Sequence, residues 1–265
     1  MKVHKLLMLF SVSAAVLFAG CEKDPETPEI ETETITAAGV QFTMVKVTPG
    51  TFTMGPIAGD NQAYNWEQPA HQVTLTQSYY IGQTEVTQEL YQAVMGVNPS
   101  FFNNGTNLPV EQVTYYQARE FCTRLSNMTG HTFRLPTEAQ WEYAARGGQN
   151  APSTPTLYSG SDNPNTVGWH LDNSGNKTHT VGTKEANALG LYDMTGNVYE
   201  WCLDFYGAYP SDAQTDPLGP DDGQMRVLRG GAWSYRVRNC RVSDRSCDAP
   251  SILQNYIGFR VVMIP

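Results

Sequence analysis

The chain has 265 residues and a formal net charge of −9 at pH 7, with 17 basic and 26 acidic side chains. An anionic protein repels the phosphates of nucleic acids, so the composition argues against a nucleic-acid partner. The 225 residues from 41 to 265 are enough for one large domain or two small ones. Because the sequence shows no solenoid repeat, no heptad pattern and no second linker, we predict one domain.

The first 20 residues have the pattern of a bacterial lipoprotein signal peptide. Lys2 and Lys5 precede the apolar stretch 6–19, which is too short to span a bilayer comfortably and ends just before Cys21. We expect cleavage before Cys21 and lipidation of its thiol, so that a lipid anchor holds the protein at a membrane of the cell envelope. The expected location is the outer membrane, with the protein periplasmic or surface-exposed. The alternative is an ordinary secretory signal followed by an unrelated cysteine.

Residues 21–40 are acidic and rich in proline and threonine, with few side chains that a core could bury. This composition predicts a disordered tether, followed by a domain at 41–265. Acidic residues directly after a lipidated cysteine are similar to the surface-export signals of some outer-membrane lipoproteins. A merely soluble spacer would have the same composition.

The domain has the composition of a loop-rich α+β fold, because glycine and tyrosine are abundant and periodic segments are few. Residues 42–47 and 51–54 flank Pro49-Gly50 and predict a hairpin. Residues 71–76 alternate apolar and polar side chains, as a half-buried strand does. Together these segments predict a small antiparallel sheet.

Three helices are predicted where a threonine can cap the first turn and glycine follows the last one. They run from Thr87 to Gly96, from Thr114 to Gly130, and from Thr137 to Arg146. Residues 149–190 contain many turn-forming residues and predict a long surface excursion. Two more strands are predicted at the end of the chain, in RVLRG at 226–230 and GFRVV at 258–262.

Four sequence blocks follow one another along the domain. They read GQTEVT at 82–87, FRLPTEAQWEYAARGG at 133–148, GLYDMTGNVYEW at 190–201, and RGG at 229–231 with GFR at 258–260. In this order, and over nearly all of 42–262, the chain resembles the formylglycine-generating enzyme family, also called the sulfatase-modifying factor domain. The resemblance implies a C-type-lectin-like α+β fold that is rich in irregular structure.

The third block has the chemistry of a calcium site. Asp193 and Glu200 bracket a turn in which glycine lets the backbone bend, and calcium prefers such hard oxygen ligands. The resemblance implies a structural calcium ion bound by these two side chains and by the carbonyl oxygens of Gly196 and Val198. The alternative is that Glu200 pairs with an arginine such as Arg229, while Asp193 caps a turn.

Residues 160–182 should hold the second calcium site of the family, but the oxygen-bearing side chains there do not follow its spacing, and we assign none. His170 and His179 lie in the same stretch. Because they have no fixed spacing to a cysteine or a third histidine, we predict polar loop residues and not transition-metal ligands.

The chain departs from the family at the positions that carry its chemistry. The resemblance implies a copper-dependent oxidase in which two cysteines five positions apart bind Cu(I). Here Cys240 has the second position, but Tyr235 has the first, and Tyr199 and Ala232 replace a tryptophan and a serine. A phenol cannot replace a soft sulfur ligand. We therefore expect lost or altered activity, with copper bound and Cys240 catalytic only if the protein is an oxidase.

Cys240 is more simply a buried thiol or half of a disulfide. Cys247 lies seven residues beyond it, so the two sulfurs could meet, and in an oxidising envelope we expect a disulfide. With Cys122 and Cys202, the four thiols allow three pairings. The sequence does not choose among them.

Several aromatic residues are expected near the substrate groove that the resemblance implies. Trp233, Tyr235 and Tyr256, together with Tyr199 and Trp201, could form a platform for a peptide or a sugar ring. The alternative is that they are core residues of a glycine-rich fold.

Three functions follow from these observations. We favour a lipid-anchored envelope protein whose domain lacks the oxidase activity and binds an envelope protein, a peptide or a glycan. The second is an oxidase that converts a cysteine of a target peptide to formylglycine. The third is a structural component of an envelope, gliding or secretion assembly, since some proteins with this domain serve in such machinery.

Overall fold

A computed structural model describes residues 30–105 and 107–265. The predicted signal peptide and the lipidation residue Cys21 lie outside these residues. No helix in the described part of the chain is long and apolar enough to cross a membrane.

The described residues form three sheets and four α-helices. The strands are β1 (Thr32–Ala37), β2 (Val40–Val47), β3 (Gly50–Met54), β4 (His71–Leu75), β5 (Tyr79–Gly82), β6 (Thr132–Arg134), β7 (Tyr199–Phe205), β8 (Gln214–Thr215), β9 (Arg226–Arg229), β10 (Arg245–Asp248), β11 (Ile257–Gly258) and β12 (Val262–Ile264). The helices are α1 (Gln88–Met95), α2 (Tyr115–Thr129), α3 (Glu138–Ala145) and α4 (Pro164–Val167). The sheets have the strand orders β1-β2-β5-β12-β6, β10-β9-β7-β11 and β3-β4-β8.

The domain begins before residue 41, so the predicted boundary is wrong. Strand β1 lies inside the segment that was predicted as a disordered tether, and it pairs antiparallel with β2 along its whole length. Ile35 and Ala37 are buried in the core, whereas Thr34 and Thr36, which alternate with them, are exposed. This alternation is that of an edge strand with one buried face.

The predicted hairpin at Pro49-Gly50 is also wrong. Strands β2 and β3 form where they were expected, but they belong to different sheets: β2 pairs with β1 and β5, and β3 pairs with β4. Phe52 of β3 packs instead on Tyr143 of α3, with the ring centroids 5.2 Å apart. Pro49-Gly50 therefore joins two sheets, and the strand predicted at 71–76 supplies the partner of β3.

The three predicted helices are confirmed. Each begins with a threonine whose side chain accepts a hydrogen bond from the backbone amide three residues later. These residues are Thr87 in α1, Thr114 in α2 and Thr137 in α3. α1 and α2 end at Gly96 and Gly130, both in the left-handed conformation that favours glycine.

Residues 149–190 contain only short helical turns, as predicted, but they do not all lie at the surface. Tyr158, Val167, His170 and Leu189 are buried. The strand predicted in GFRVV is divided: β11 pairs parallel with β7, and β12 joins the first sheet between β5 and β6. Arg260 lies between these two strands.

The core has two parts on opposite faces of the five-stranded sheet. Met44 of β2 belongs to a cluster with Leu90 of α1 and Phe121 of α2. Its neighbour Val45 belongs to a second cluster, with Trp141 of α3. Because successive side chains of a strand point to opposite faces, one strand serves both clusters. α3 also contacts β7, where its Trp141 donates a hydrogen bond to Glu200 of the third block.

Candidate functional site

The carboxylate of Glu200 is buried on β7 and bound by Arg260. The guanidinium donates from Nε to Oε2 at 2.6 Å and from Nη2 to Oε1 at 2.8 Å, and the indole nitrogen of Trp141 donates to Oε2 at 2.8 Å. All three side chains are fully buried. Glu200 therefore pairs with an arginine, as the alternative expected, but the arginine is Arg260 and not Arg229.

Arg229 points to α3 instead. It faces Glu200 in the β7–β9 register, but its guanidinium pairs with Glu142 and lies 3.3 Å from a carboxylate oxygen of Glu138. Arg245 pairs with the same Glu138 at 2.6 Å. Arg229 and Arg245 thus join the terminal segment to α3 through buried ion pairs.

Asp193 is buried in the turn before β7, with a left-handed φ of 57°. Its Oδ2 accepts a hydrogen bond of 2.7 Å from the backbone amide of Gly182. Its Oδ1 is buried and has no hydrogen-bond partner among the described residues. Burial raises the pKa of Asp193 to about 6. A buried oxygen without a partner is costly, and it is a ready ligand for a cation.

Glu85, in the first block, was not singled out from the sequence, yet it completes this cluster. Its Oε2 accepts from the side-chain amide of Asn197 at 2.7 Å, and its Oε1 accepts from the backbone amide of Val198 at 3.1 Å. Burial, together with the charges of Asp193 and Glu200, raises the pKa of Glu85 well above its usual value. Three buried carboxylates therefore lie around the single guanidinium of Arg260.

The turn between Asp193 and Glu200 is tightly packed. Gly196 has a φ of 77°, and a Cβ there would lie 2.0 Å from the carbonyl oxygen of Trp169. Only glycine fits, as the sequence predicted for a bend in this block.

The predicted calcium ligands fit calcium in part. Asp193 has an open oxygen, but both oxygens of Glu200 already accept hydrogen bonds from Arg260 and Trp141. Within residues 30–105 and 107–265, no three His, Cys, Asp or Glu side chains come together so that they could hold a metal ion. A site here would therefore depend on the carbonyl oxygens of Gly196 and Val198 as well.

His170 and His179 contact different residues. The Nε2 of His170 lies 3.1 Å from the side-chain oxygen of Asn165, and the ring of His179 stacks on Trp169 at 3.7 Å. Burial lowers the pKa of both histidines. Their contacts are those of polar residues that hold a loop in place.

Cys240 is fully buried in a short 3₁₀ helix, Val237–Cys240. A Cβ at Gly231 would lie 2.5 Å from its Sγ, so the second glycine of the RGG block leaves room for this thiol. The Sγ lies 3.8 Å from the carbonyl oxygen of Arg236. Burial raises the pKa of Cys240 to about 12, which keeps the thiol protonated at neutral pH.

Tyr235 lies at the centre of a tyrosine cluster. Its ring centroid is 4.9 Å from that of Tyr199 and 5.2 Å from that of Tyr256. Tyr199 is buried, whereas Tyr235 and Tyr256 are half-buried. Trp233 packs next to them on Phe102, with the ring centroids 5.3 Å apart. The structure thus brings the four predicted groove residues into one region, with Tyr199 beneath the surface.

A profile of the sulfatase-modifying factor enzyme 1-like domain matches residues 31–264. The chain belongs to this family. The match begins at β1 and so agrees with the earlier start of the domain.

The relatives of this sulfatase-modifying factor domain carry different names. The chain is 34% identical to the chaperone protein LppX of Paenibacillus barcinonensis, over 64% of this chain and 74% of that protein. It is 33% identical to the formylglycine-generating enzyme of Thermomonospora curvata, over 60% of this chain and only 56% of that enzyme.

The fold prediction is confirmed by solved structures of the family. The Treponema denticola variable protein 1 superposes with a TM-score of 0.80 at 34% identity, over 88% of this chain and 99% of that one. The fold of this sulfatase-modifying factor domain is C-type-lectin-like, with curled sheets, few helices and much irregular backbone.

The residues present do not fit the copper pair that the family implies. Tyr235 offers a hard phenol, and Cys240 offers a thiol that burial keeps protonated. The expected disulfide from Cys240 to Cys247 is wrong as well, because all four cysteines in the described residues are free. Cys247 lies opposite Val227 in the β9–β10 ladder, while the sulfur of Cys240 points towards Gly231.

Proposed function

We propose that this domain binds a partner in the cell envelope and does not oxidise thiols. The observation that carries the proposal is that Tyr235 and the buried Cys240 occupy the two positions where the family's chemistry requires thiolates. A Cu(I) site needs ionised sulfur, and burial opposes ionisation of Cys240. Tyr235 cannot ionise readily either, since burial raises the pKa of its phenol.

The same region has the composition of a binding surface. We call Phe101, Phe102, Trp233, Tyr235, Tyr256 and Leu171 the aromatic surface. Phe101 and Leu171 are 62% and 40% exposed, and the amide of Leu171 donates to the carbonyl of Tyr235 at 2.9 Å. The rings of Phe101 and Phe102 are 5.0 Å apart, which extends the row that ends at Trp233.

The aromatic surface is held in place from beneath. The indole nitrogen of Trp233 donates to the carbonyl of Asn255 at 3.0 Å, and its own carbonyl accepts from Ser174 at 2.9 Å. Rigid aromatic side chains bind a partner at a low cost in conformational entropy, and they suit either an apolar peptide side chain or the face of a sugar ring.

The partner we propose is an envelope protein, a peptide or a glycan. We also propose that a lipid at Cys21 anchors this chain to the membrane, where it meets that partner. The lipoprotein pattern of the leader supports this location. The name of the relative LppX, a chaperone protein, also favours binding, because a chaperone acts by binding other proteins.

Two experiments test the proposal. In the first, the purified chain is given Cu(I), oxygen and a peptide carrying Cys-X-Pro-X-Arg, and we expect no aldehyde to form. Aldehyde formation that is abolished by Cys240→Ala would overturn the proposal in favour of the oxidase.

In the second experiment, partners are captured from an envelope extract with the wild-type chain and with the double variant Phe101→Ser/Tyr235→Ser. We expect the double variant to lose the captured partner. Tyr116→Ser is the matched control, because Tyr116 is 59% exposed on α2 and lies outside the aromatic surface. Equal capture by all three chains would remove this surface from the proposal.

A further inference from the structure

A cavity of about 380 Å³ lies apart from the aromatic surface. Met54 and His71 line it from the ends of β3 and β4, Glu138 lines it from the start of α3, and Asp204 and Phe205 line it from the end of β7. The segment 207–220 encloses the remaining side. This volume lies within the usual range for sites that bind small molecules.

Glu138 is already neutralised by the protein. Its carboxylate accepts from Nε and Nη2 of Arg245 at 2.7 and 2.6 Å, and from the hydroxyl of Tyr209 at 3.0 Å. Burial alone would raise the pKa of Glu138, but the charges of Arg245 and Arg229 bring it below its usual value. The third nitrogen of Arg245, Nη1, donates to the carbonyl of Gly207 at 2.8 Å. Neither Arg245 nor Glu138 is therefore free to bind a ligand ion.

Asp204 is different, because no ion pair among the described residues includes its carboxylate. Oδ2 accepts from the backbone amide of Glu138 at 2.8 Å, whereas Oδ1 receives no side-chain hydrogen bond from the described residues. The residue is 4% exposed. Gly219, with a φ of 73°, passes close over it: a Cβ there would lie 3.3 Å from Oδ1. The loop thus covers this acceptor without bonding to it.

Two more acceptors line the cavity. Nδ1 of the buried His71 lies 3.1 Å from the carbonyl oxygen of Pro69. Because a carbonyl oxygen only accepts, Nδ1 must donate, and Nε2 of the neutral ring is then an acceptor. Gln214 donates through Nε2 to the carbonyl of Asp212 at 3.1 Å, which leaves its Oε1 as an acceptor. The polar groups left open by the protein are therefore acceptors, while the donors of Arg245 and Tyr209 are used internally.

The rest of the wall is apolar. It includes Met54, Phe205 and Leu218, together with prolines of the 207–220 segment. A ligand that fits such a site must supply hydrogen-bond donors at one end and hydrocarbon at the other. A positive charge on the donor end would pair with Asp204, the one carboxylate of the cavity without a cationic partner of its own.

We propose that this cavity binds a small organic cation, namely a primary ammonium compound with a short apolar chain. The ammonium group donates to Asp204 and to the neighbouring acceptors of His71 and Gln214, and the chain lies against Met54 and Leu218. The inference does not depend on the proposed function, because the two sites share no residue.

Binding should tighten as the pH rises from about 6 to about 8. Burial and the neighbouring charge of Glu138 raise the pKa of Asp204 to about 7, so the carboxylate becomes charged in this range. His71 on β4 also faces the cavity. Glu138 on α3 and Arg245 on β10 stay charged and paired, and the pKa of Tyr209 is raised well above its usual value by burial.

The test uses n-butylammonium as the probe and n-butanol as its uncharged control, with the methyl NMR signals of Met54 and Leu218 as the readout. We expect saturable shifts with n-butylammonium that n-butanol does not reproduce. Asp204→Asn keeps an acceptor for the amide of Glu138 but removes the charge, and it should weaken binding at least about tenfold. Asp212→Asn, an exposed acid on the same segment, should leave binding unchanged.

Gln214→Lys provides a second variant in case Asp204→Asn disturbs the fold. Its own ammonium group should occupy the cavity, shift the Met54 and Leu218 signals without any probe, and reduce the affinity for n-butylammonium at least about tenfold. Equal responses to n-butylammonium and n-butanol, or an affinity that neither Asp204→Asn nor Gln214→Lys changes, would overturn the proposal.

Discussion

The guanidinium of Arg260 donates two hydrogen bonds to the carboxylate of Glu200, and both side chains are completely buried. Arg260 also donates to the backbone carbonyls of Gly82 and Tyr192, at 3.0 and 2.9 Å. One side chain near the end of the chain thus joins β5, the turn before β7, and β7 itself. A domain with so much irregular backbone depends on such buried polar contacts for its specific shape.

Arg260→Ala should lower the free energy of unfolding by about 3–5 kcal/mol, because it leaves the buried carboxylate of Glu200 without its partner. Urea denaturation followed by tryptophan fluorescence measures the change. Lys46→Ala is the matched control: its pair with Glu31 lies at the surface, and its loss should cost at most about 1 kcal/mol. Equal effects of the two substitutions would show that the buried pair does not stabilise the fold as argued.

The proposed calcium site makes a second prediction. EDTA should lower the melting temperature of the wild-type chain, and added calcium should restore it, because an ion bound by Asp193 stabilises only the folded state. Asp193→Ala should abolish this sensitivity. Asp172→Ala is the control, since the side chain of Asp172 is 71% exposed. A melting temperature that EDTA does not change in the wild-type chain would argue against calcium here.

The sequence predicted the features that depend on neighbouring residues. Each of the three helices begins with a threonine that bonds to an amide three positions away, so the signal and the contact lie together in the chain. The need for glycine at position 196 was visible in the same way. The family blocks then gave the fold, because they fix the order of these local elements.

The features that were missed depend on distant residues. Glu85 binds the side chain of Asn197, 112 positions away, and nothing near Glu85 indicates that contact. The hairpin failed because Pro49-Gly50 marks a turn but does not choose a strand's partner, and burial of Phe52 against Tyr143 placed β3 in another sheet. Strand β1 was hidden by its acidic surroundings, although Ile35 and Ala37 alternate with exposed threonines.

Gly231→Ala should destabilise the fold more than Gly39→Ala, in which only the backbone angle is strained. A Cβ at Gly231 would meet the sulfur of Cys240 at 2.5 Å and the carbonyl oxygen of Asn239 at 2.7 Å. Gly39→Ala is the matched control, because Gly39 has a similar φ of 84° but nothing within 4 Å of the added atom. We expect a loss of about 1 kcal/mol at Gly39, and a further 1–3 kcal/mol or so at Gly231 from overpacking.

The four thiols of the described residues should differ sharply in their reactivity. Cys247 is half-buried and should be alkylated by a maleimide in the native state, whereas Cys122, Cys202 and Cys240 are buried and should react only after unfolding. Burial also raises the pKa of Cys122 and Cys240 to about 12. Mass spectrometry counts the labels before and after denaturation. An unreduced chain that takes up two fewer labels than a reduced one would reveal a disulfide and contradict the free thiols.

Glu111 should make the protein less stable as the pH rises. It is fully buried, its Oε1 accepts from the amide of Phe102 at 2.8 Å, and its Oε2 has no partner among the described residues. Burial raises the pKa of Glu111 to about 7. The folded state therefore binds a proton that the unfolded state has already lost, and stability falls from the ordinary pKa of glutamate, about 4.3, up to about 7.

Glu111→Gln removes this titration but keeps an acceptor for Phe102. The variant should have a flatter dependence of the unfolding free energy on pH over that window, and it should gain stability relative to the wild type above about pH 7. The exposed Glu89→Gln is the control and should leave the slope unchanged. If Glu111→Gln keeps the wild-type slope, another buried carboxyl must carry the titration, and Asp244 has its pKa raised to about 7 by burial as well.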